Sequence, residues 1–362
     1  MTLILNGLGT IEGASLANSP SVGNNSTGIA TTEFVNNQLN SGLRPATLTS
    51  LNSGPLAGFR NRIINGGFDL WRLGASASGT NPNFGPDRFM TQSDASQTLS
   101  RVDYISSASG LYAARFTKNN TATYINFGTV IENGYNNTVV GNIVTFSCLM
   151  RASSALTLPM QILKGTGFDM VTQLSSVDKS VITSWTKFSI TLDGTALSYD
   201  GTNKHLRVSI GNLGGLAISG WVEFKDFQLE VGSVATPFEY RPVGVELALC
   251  QRYLPIIEAS YLSYHLGVAV STTKAQVVIP FVVQARVPPT GIVCGGGYTV
   301  PEYKASFDSP YSASNLVAST ALKAADKNGA LIEVEVSDGL VVGRGGLFTL
   351  AGNYLQFTGA EL

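Results

Sequence analysis

Two histidines, His205 and His265, are all that this 362-residue chain offers toward an imidazole-based triad or a His-rich metal site, and three cysteines, Cys148, Cys250 and Cys294, are its only thiols. A Ser-His-Asp triad needs an imidazole bonded to both a hydroxyl and an orienting carboxylate, and no Gly-x-Ser-x-Gly elbow accompanies either histidine. The cysteines are far apart, odd in number and free of Cys-x-x-Cys spacing, which predicts buried small hydrophobes rather than a disulfide framework or a zinc site. Paired carboxylates remain as a route to glycan hydrolysis. Asp169, Asp178, Asp193, Asp200 and Glu223 qualify by type, and spacing singles out none of them. The expectation is a protein that binds and is not an enzyme.

Binding chemistry is better supplied. A flat aromatic ring matches the apolar face of a pyranose. Trp71, Phe84, Trp185 and Trp221 could act this way, but each holds a strand-like or motif position, so all four are expected in the core. Tyr261, Tyr264, Tyr298, Tyr303 and Tyr311 fall in segments rich in Ser, Gly and Asn, a composition suited to adaptable recognition, and are the candidate glycan contacts.

Charged residues make up 13% of the chain and the net charge is -1, so no broad field attracts nucleic acid or an anionic membrane. No stretch approaches the roughly 20 apolar residues of a membrane span, so no membrane insertion is expected. The opening Met1-Thr-Leu-Ile-Leu-Asn6 lacks the charged start and apolar run of a secretory leader.

The elements that must position these groups read as β-structure. Val144, Phe146, Cys148 and Met150 alternate with polar residues, as do Phe188, Ile190 and Leu192, and Leu206, Val208 and Ile210. Asp193-Gly194, Asp200-Gly201 and Gly214-Gly215 are hairpin-type dipeptides. Between Trp221 and Val231 the apolar set changes parity, which predicts a bulge near Lys225-Asp226. Val245 to Tyr253 consists mainly of helix formers and is closed by Pro255. Pro280, inside an apolar run, predicts an edge strand or a bulge. Residues 1–57 carry few large apolar side chains and one short helical phrase, with Val35 and Leu39 on one face.

The fold class expected is all-β, with two antiparallel β-sandwich (jelly-roll-like) domains joined by a short helical neck. The divisions are 1–57, an extended N-terminal segment; 58–241, the first jelly roll; 242–257, the neck; and 258–362, a C-terminal β domain.

Two phrases carry a resemblance: Asn61-Arg-Ile-Ile-Asn-Gly-Gly-Phe-Asp-Leu-Trp-Arg72 and Phe224-Lys-Asp-Phe-Gln-Leu-Glu-Val-Gly-Ser-Val-Ala-Thr-Pro-Phe-Glu-Tyr-Arg241. With Gly85-Pro-Asp-Arg-Phe89 and Leu247-Ala-Leu-Cys-Gln-Arg-Tyr253, they resemble the carbohydrate-module-like jelly rolls of tailed-bacteriophage tail fibres and other virion fibre proteins. The resemblance covers residues 58–255. It implies a homotrimer assembled in the host cytoplasm, located in the virion, and adhering to a host cell-surface glycan or protein. A collar, neck or head fibre with a mainly structural role is the first alternative, and a capsule-degrading depolymerase the second. Asn24, Phe34, Val35 and Leu39 lie in a phrase similar to the virion-proximal part of such fibres, which implies contacts there with other virion proteins. Asp69 and Asp226 resemble the acidic positions beside the structural calcium of some jelly-roll modules. The competing expectation is that both cap turns or pair with Arg72 and Arg88, as Asp87-Arg88 is expected to fix its own turn.

Overall fold

The computed structural model describes residues 4–5, 11–12, 50–51, 54–55, 59–79, 83–104, 112–166, 169–258, 263–295, 304–306, 315–336, 340–350 and 354–361. The attachment residues Asn24, Phe34, Val35 and Leu39 lie outside them. The chain divides into Met1–Gly58 and Phe59–Leu362, each a compact unit of its own. In the first, Ile4–Leu5 pairs antiparallel with Ile11–Glu12, and Ser50–Leu51 with Gly54–Pro55.

The second unit opens with a sandwich of two antiparallel sheets. Its strands are β1 (Ser76–Gly79), β2 (Asn83–Phe84), β3 (Phe89–Ser93), β4 (Gln97–Asp103), β5 (Tyr112–Thr117), β6 (Ile125–Ile131), β7 (Ile143–Ala152), β8 (Leu156–Thr166), β9 (Asp169–Val181), β10 (Thr186–Asp193), β11 (His205–Ile210) and β12 (Trp221–Val231). Sheet 1 runs β9-β8-β11-β6-β3-β2 and sheet 2 runs β10-β7-β12-β5-β4-β1. The alternating apolar residues of the sequence meet between the sheets: Phe127 and Ile210 from sheet 1, Phe146, Phe224 and Phe227 from sheet 2, all buried. Phe127 stacks on Phe224 with centroids 4.7 Å apart, and Phe68 meets Phe89 edge-on at 4.7 Å. Rings of this size dominate the apolar area that a sandwich removes from water.

The two diagnostic phrases fasten to each other. Asn61 donates from Nδ2 to the Phe227 carbonyl and accepts the amides of Ile63 and Leu229. Asn65 donates to the carbonyls of Leu70 and Asp87 and accepts the Leu70 amide. Gly66 packs so tightly on the last strand that a Cβ there would sit 2.1 Å from the Phe227 carbonyl oxygen. Glu239 accepts the amides of Arg60 and Asn61, and Thr236 binds Glu230 through both its amide and its hydroxyl. These residues therefore build the sandwich rather than a binding surface. The expected bulge is present: Lys225 faces Leu149 and Gln228 faces Ser147, so Asp226 and Phe227 oppose one residue, and Asp226 takes φ 55°.

The Asp-Gly and Gly-Gly dipeptides do not make two-residue hairpins. β10 lies in sheet 2 and β11 in sheet 1, so Asp193-Gly194 and Asp200-Gly201 belong to a connection that changes sheets. Gly214-Gly215 closes a single 3-10 turn between β11 and β12, which also lie in different sheets.

Helix α1 (Val243–Gln251) starts after Pro242 and ends before Pro255, which has no amide hydrogen to continue it. Glu246, in its first turn, accepts the Asn65 amide and pairs with Arg241. Arg72 Nη2 donates to the Leu254 carbonyl, and Tyr253 donates its hydroxyl to Glu132. The helix region is thus bonded side chain by side chain to the sandwich.

Beyond it come β13 (Ile256–Glu258), β14 (Ser263–Ala269), β15 (Lys274–Pro280), β16 (Gly291–Gly295), β17 (Lys304–Ser306), β18 (Asn315–Ala325), β19 (Gly329–Val336), β20 (Gly345–Leu350) and β21 (Tyr354–Thr358). The antiparallel β class expected for this part holds, and its sheet rolls on itself: β14-β15-β19-β18-β17-β20 form a closed barrel, beside the three-stranded sheet β13-β21-β16. Val277, Ile279, Ile332, Val334 and Phe348 fill its core. Pro280 is the last residue of β15, opposite Gly329, where the ladder ends and a missing amide costs little.

Candidate functional site

Strand parity decides which side chains of sheet 2 face outward. Val222 and Phe224 point into the core, so Trp221, Glu223 and Lys225 stand on the opposite face. Arg115 on β5 and Arg151 on β7 are the direct cross-strand partners of Glu223. The Glu223 carboxylate is fully buried: Oε1 accepts from Arg115 Nε at 2.8 Å, and Oε2 from Arg151 Nε at 2.6 Å. Each guanidinium also lies against an indole. Arg115 Cζ is 4.7 Å from the Trp221 ring, and Arg151 Cζ is 4.9 Å from Trp185 and 5.8 Å from Trp221. Trp185, just before β10, meets Tyr104 edge-on at 5.1 Å, and Tyr104 stands 5.2 Å from Lys225 Nζ.

The result is a row of half-buried rings held by an Arg-Glu-Arg bridge with a buried carboxylate at its centre. A guanidinium over an indole contributes about 0.5–1 kcal/mol at exposed sites and fixes the ring plane. Such a row can stack on pyranose faces, while the guanidinium N–H groups donate to sugar hydroxyls. Trp185 Nε1 is buried without a hydrogen-bond partner. Glu223 has both oxygens occupied by arginine, which leaves it poorly placed to transfer protons.

The expectation that all four aromatics lie in the core needs correction. Trp71 is buried and donates Nε1 to the Phe68 carbonyl, and half-buried Phe84 packs beside Met90, Val130 and Tyr253. Trp185 and Trp221 are half-exposed and outside the core. The signal was present: a tryptophan one residue before an inward valine, in phase with Glu223 and Lys225, belongs to the outer face. Among the five tyrosines, Tyr261, Tyr298, Tyr303 and Tyr311 lie outside the described residues. Tyr264 is placed by its backbone alone, in β14 opposite Thr349.

Asp69 and Asp226 do come together, around Lys225. The buried ammonium lies 3.6 Å from Asp226 Oδ1 and donates to the carbonyls of Gly67 and Tyr112. Burial pushes both carboxyls above the usual carboxylate range, and Lys225 offsets part of that rise. Any calcium here would have to displace this ammonium, and among the described residues no group of three His, Cys, Asp or Glu is placed to hold a metal. Neither aspartate pairs with the arginines suggested for it. Arg72 binds Asp87, and Arg88 donates to the Val130 carbonyl and lies 3.8 Å over the Tyr253 ring. The Asp87-Arg88 pair is therefore replaced by Asp87-Arg72.

The other carboxylates are spent locally. Asp193 caps the turn at Thr195, and Asp200 pairs with Lys164 while accepting the amides of Thr202 and Asn203. Asp178 faces Pro159 across the β8-β9 ladder, and for Asp169 only the backbone position, opposite Thr166, is described. Cys148 and Cys250 are buried and free. His205 Nδ1 accepts the Asn133 amide, and His265 lies 6.4 Å from the Phe348 ring.

No protein-family model matches the chain, and no curated protein matches it. Among solved structures it is similar to a CBM4 module (18% identity, TM-score 0.32, covering 47% of this chain and 99% of that one). It is similar also to the CBM22-1 xylan-binding domain of Xyn10C from Paenibacillus barcinonensis (10%, TM-score 0.32, 51% and 100%). The third is the enzymatically active domain of bacteriophage CBA120 tailspike protein 4 (8%, TM-score 0.32, 48% of this chain and 21% of that one). Values at this level assign neither a family nor an activity to the chain.

Proposed function

We propose that this chain is a fibre subunit of a tailed-bacteriophage virion that adheres to the host surface by binding glycan on the outer face of sheet 2. The observation that carries the reading is the pair of half-exposed indoles, Trp185 and Trp221, held by Arg115, Arg151 and the buried Glu223. Preorganised aromatic planes bind sugar with little entropic loss. Weak single-site contacts then become useful through several copies per particle. The phage assignment rests on the two mutually bonded phrases of residues 61–72 and 224–241. The fibre acts by adhesion, without hydrolysis.

The test uses the full-length chain on host cells. It should bind them, compete with phage adsorption, and release no reducing ends from isolated surface polysaccharide. Release of reducing ends would favour the depolymerase. Absence of cell binding, with antibody labelling at the neck of intact particles, would favour the structural collar or head fibre.

A further inference from the structure

The opposite face of the sandwich holds a feature that the aromatic row does not explain. On β11, Leu206, Val208 and Ile210 point into the core, so Arg207 and Ser209 face outward from sheet 1. Arg207 is nevertheless only 2% exposed. Its side chain reaches Gln92 on β3, whose Oε1 accepts from Nη1. β6 lies between β11 and β3, and the pair Gly128–Ser209 leaves the lane open because Gly128 has no side chain. A Cβ on Gly128 would sit 2.8 Å from Ser209 Cβ.

Nε and Nη2 of Arg207 are buried and have no hydrogen-bond partner. These two nitrogens form one edge of the guanidinium, the fork whose parallel N–H bonds match the two oxygens of a carboxylate. Other arginines of the sandwich have carboxylate partners: Glu223 pairs with Arg115 and Arg151, Asp87 with Arg72, and Glu246 with Arg241. Among the described residues no carboxylate pairs with Arg207, and Tyr124, whose side chain bears on it electrostatically, is 56% exposed. Burial lowers the Arg207 pKa to about 10, which leaves it cationic at neutral pH. A buried, half-satisfied guanidinium is costly, and a negative partner supplied from outside would remove that cost. Its direct cross-strand neighbours on that face are Val130 and Leu163, and beyond them Gln92, Asn126, Ser209 and Gln161 supply amides and a hydroxyl, the donors and acceptors that sugar hydroxyls use. Release of Nη1 from Gln92 and rotation of the Arg207 side chain would bring the fork to the surface.

We propose that Arg207 anchors a second saccharide subsite, on the outer face of sheet 1, that takes the carboxylate of an acidic sugar residue. This deepens the adhesion reading and rests on it. The aromatic row would hold neutral rings, and Arg207 would select for a uronate in the same class of surface polymer.

Isothermal titration of the full-length chain with a glucuronate-containing tetrasaccharide, its carboxyl-reduced neutral counterpart and inorganic phosphate tests this. The wild type should prefer the acidic to the reduced sugar by about tenfold or more, the scale of a bidentate charge-assisted pair, and should bind phosphate more weakly. Arg207→Met should erase the preference without loss of folding, since it also removes an unsatisfied buried charge. Arg207→Lys, which keeps charge but not the fork, should weaken the preference and decides the matter if the Met variant does not fold. Equal affinity for acidic and reduced sugars in the wild type, or a preference that survives either substitution, overturns the subsite. Phosphate binding as tightly as the acidic sugar overturns its assignment to a uronate. The double variant Trp185→Ala/Trp221→Ala separates the two claims, because it should lose neutral-sugar affinity while keeping the preference set by Arg207.

Discussion

Trp185 and Trp221 are large apolar rings left partly in water on the outer face of the sandwich, with cations fixing their planes. Replacing either by Ala should weaken glycan binding by about tenfold, the size of one well-made stacking contact, with little change in thermal unfolding. Core rings behave differently. Phe227→Ala, at the centre of the aromatic cluster, should destabilise by about 3–5 kcal/mol in chemical denaturation. His205 supplies a pH test. Burial and nearby Lys204 hold its pKa below the ordinary value of 6.5, and its Nδ1 must stay unprotonated to accept the Asn133 amide. A lowered histidine pKa means that the unfolded chain binds the extra proton first, so stability is present above about pH 6.5 and is lost as pH falls toward the folded-state value. His205→Gln, which keeps an acceptor, should flatten that part of the melting-temperature profile; an unchanged slope would remove His205 as its source.

At the scale of elements, what the sequence disclosed depended on how local the cause was. The bulge at Lys225-Asp226 was legible because a change of apolar parity within one strand has no other regular solution. The helix from Val243 was legible from its formers and its flanking prolines. The Asp-Gly dipeptides misled, because a turn dipeptide does not say which sheet the next strand joins, and β10 and β11 join different ones. The partner of Asp87 was equally hidden, since Arg72 precedes it by fifteen residues and reaches it only once the opening phrase has docked. That docking can be tested at Gly66, where the last strand leaves no room for a side chain. Gly66→Ala should cost about 1–3 kcal/mol of stability, measured by denaturant unfolding, as overpacked sites do. A neutral effect would mean that the two phrases are not held as described.

For the whole molecule, a chain with 13% charged residues exposes Leu266, Val278 and Val282 on its barrel region and keeps Val341 and Val342 outside the core. Exposed aliphatics of this kind are often covered by association. If the chain assembles as the proposed fibre, light scattering should give about three times the 38.2 kDa chain mass, and a monomer at micromolar concentration would contradict that expectation. The candidate site was only partly legible: the sequence pointed to aromatic rings but put both indoles in the core, while four of the five candidate tyrosines lie outside the described residues. Period-2 reasoning applied to each tryptophan separately would have turned Trp221 outward, whereas the Arg115-Glu223-Arg151 bridge spans three strands far apart in sequence. The most direct measurement of the central claim is a glycan array probed in parallel with the full-length chain and with Trp185→Ala/Trp221→Ala, both checked for equal melting temperature. Binding of the wild type to a restricted set of glycans, lost in the double variant, is the predicted result. No glycan bound by the wild type, or an unchanged pattern in the variant, would contradict adhesion through this face.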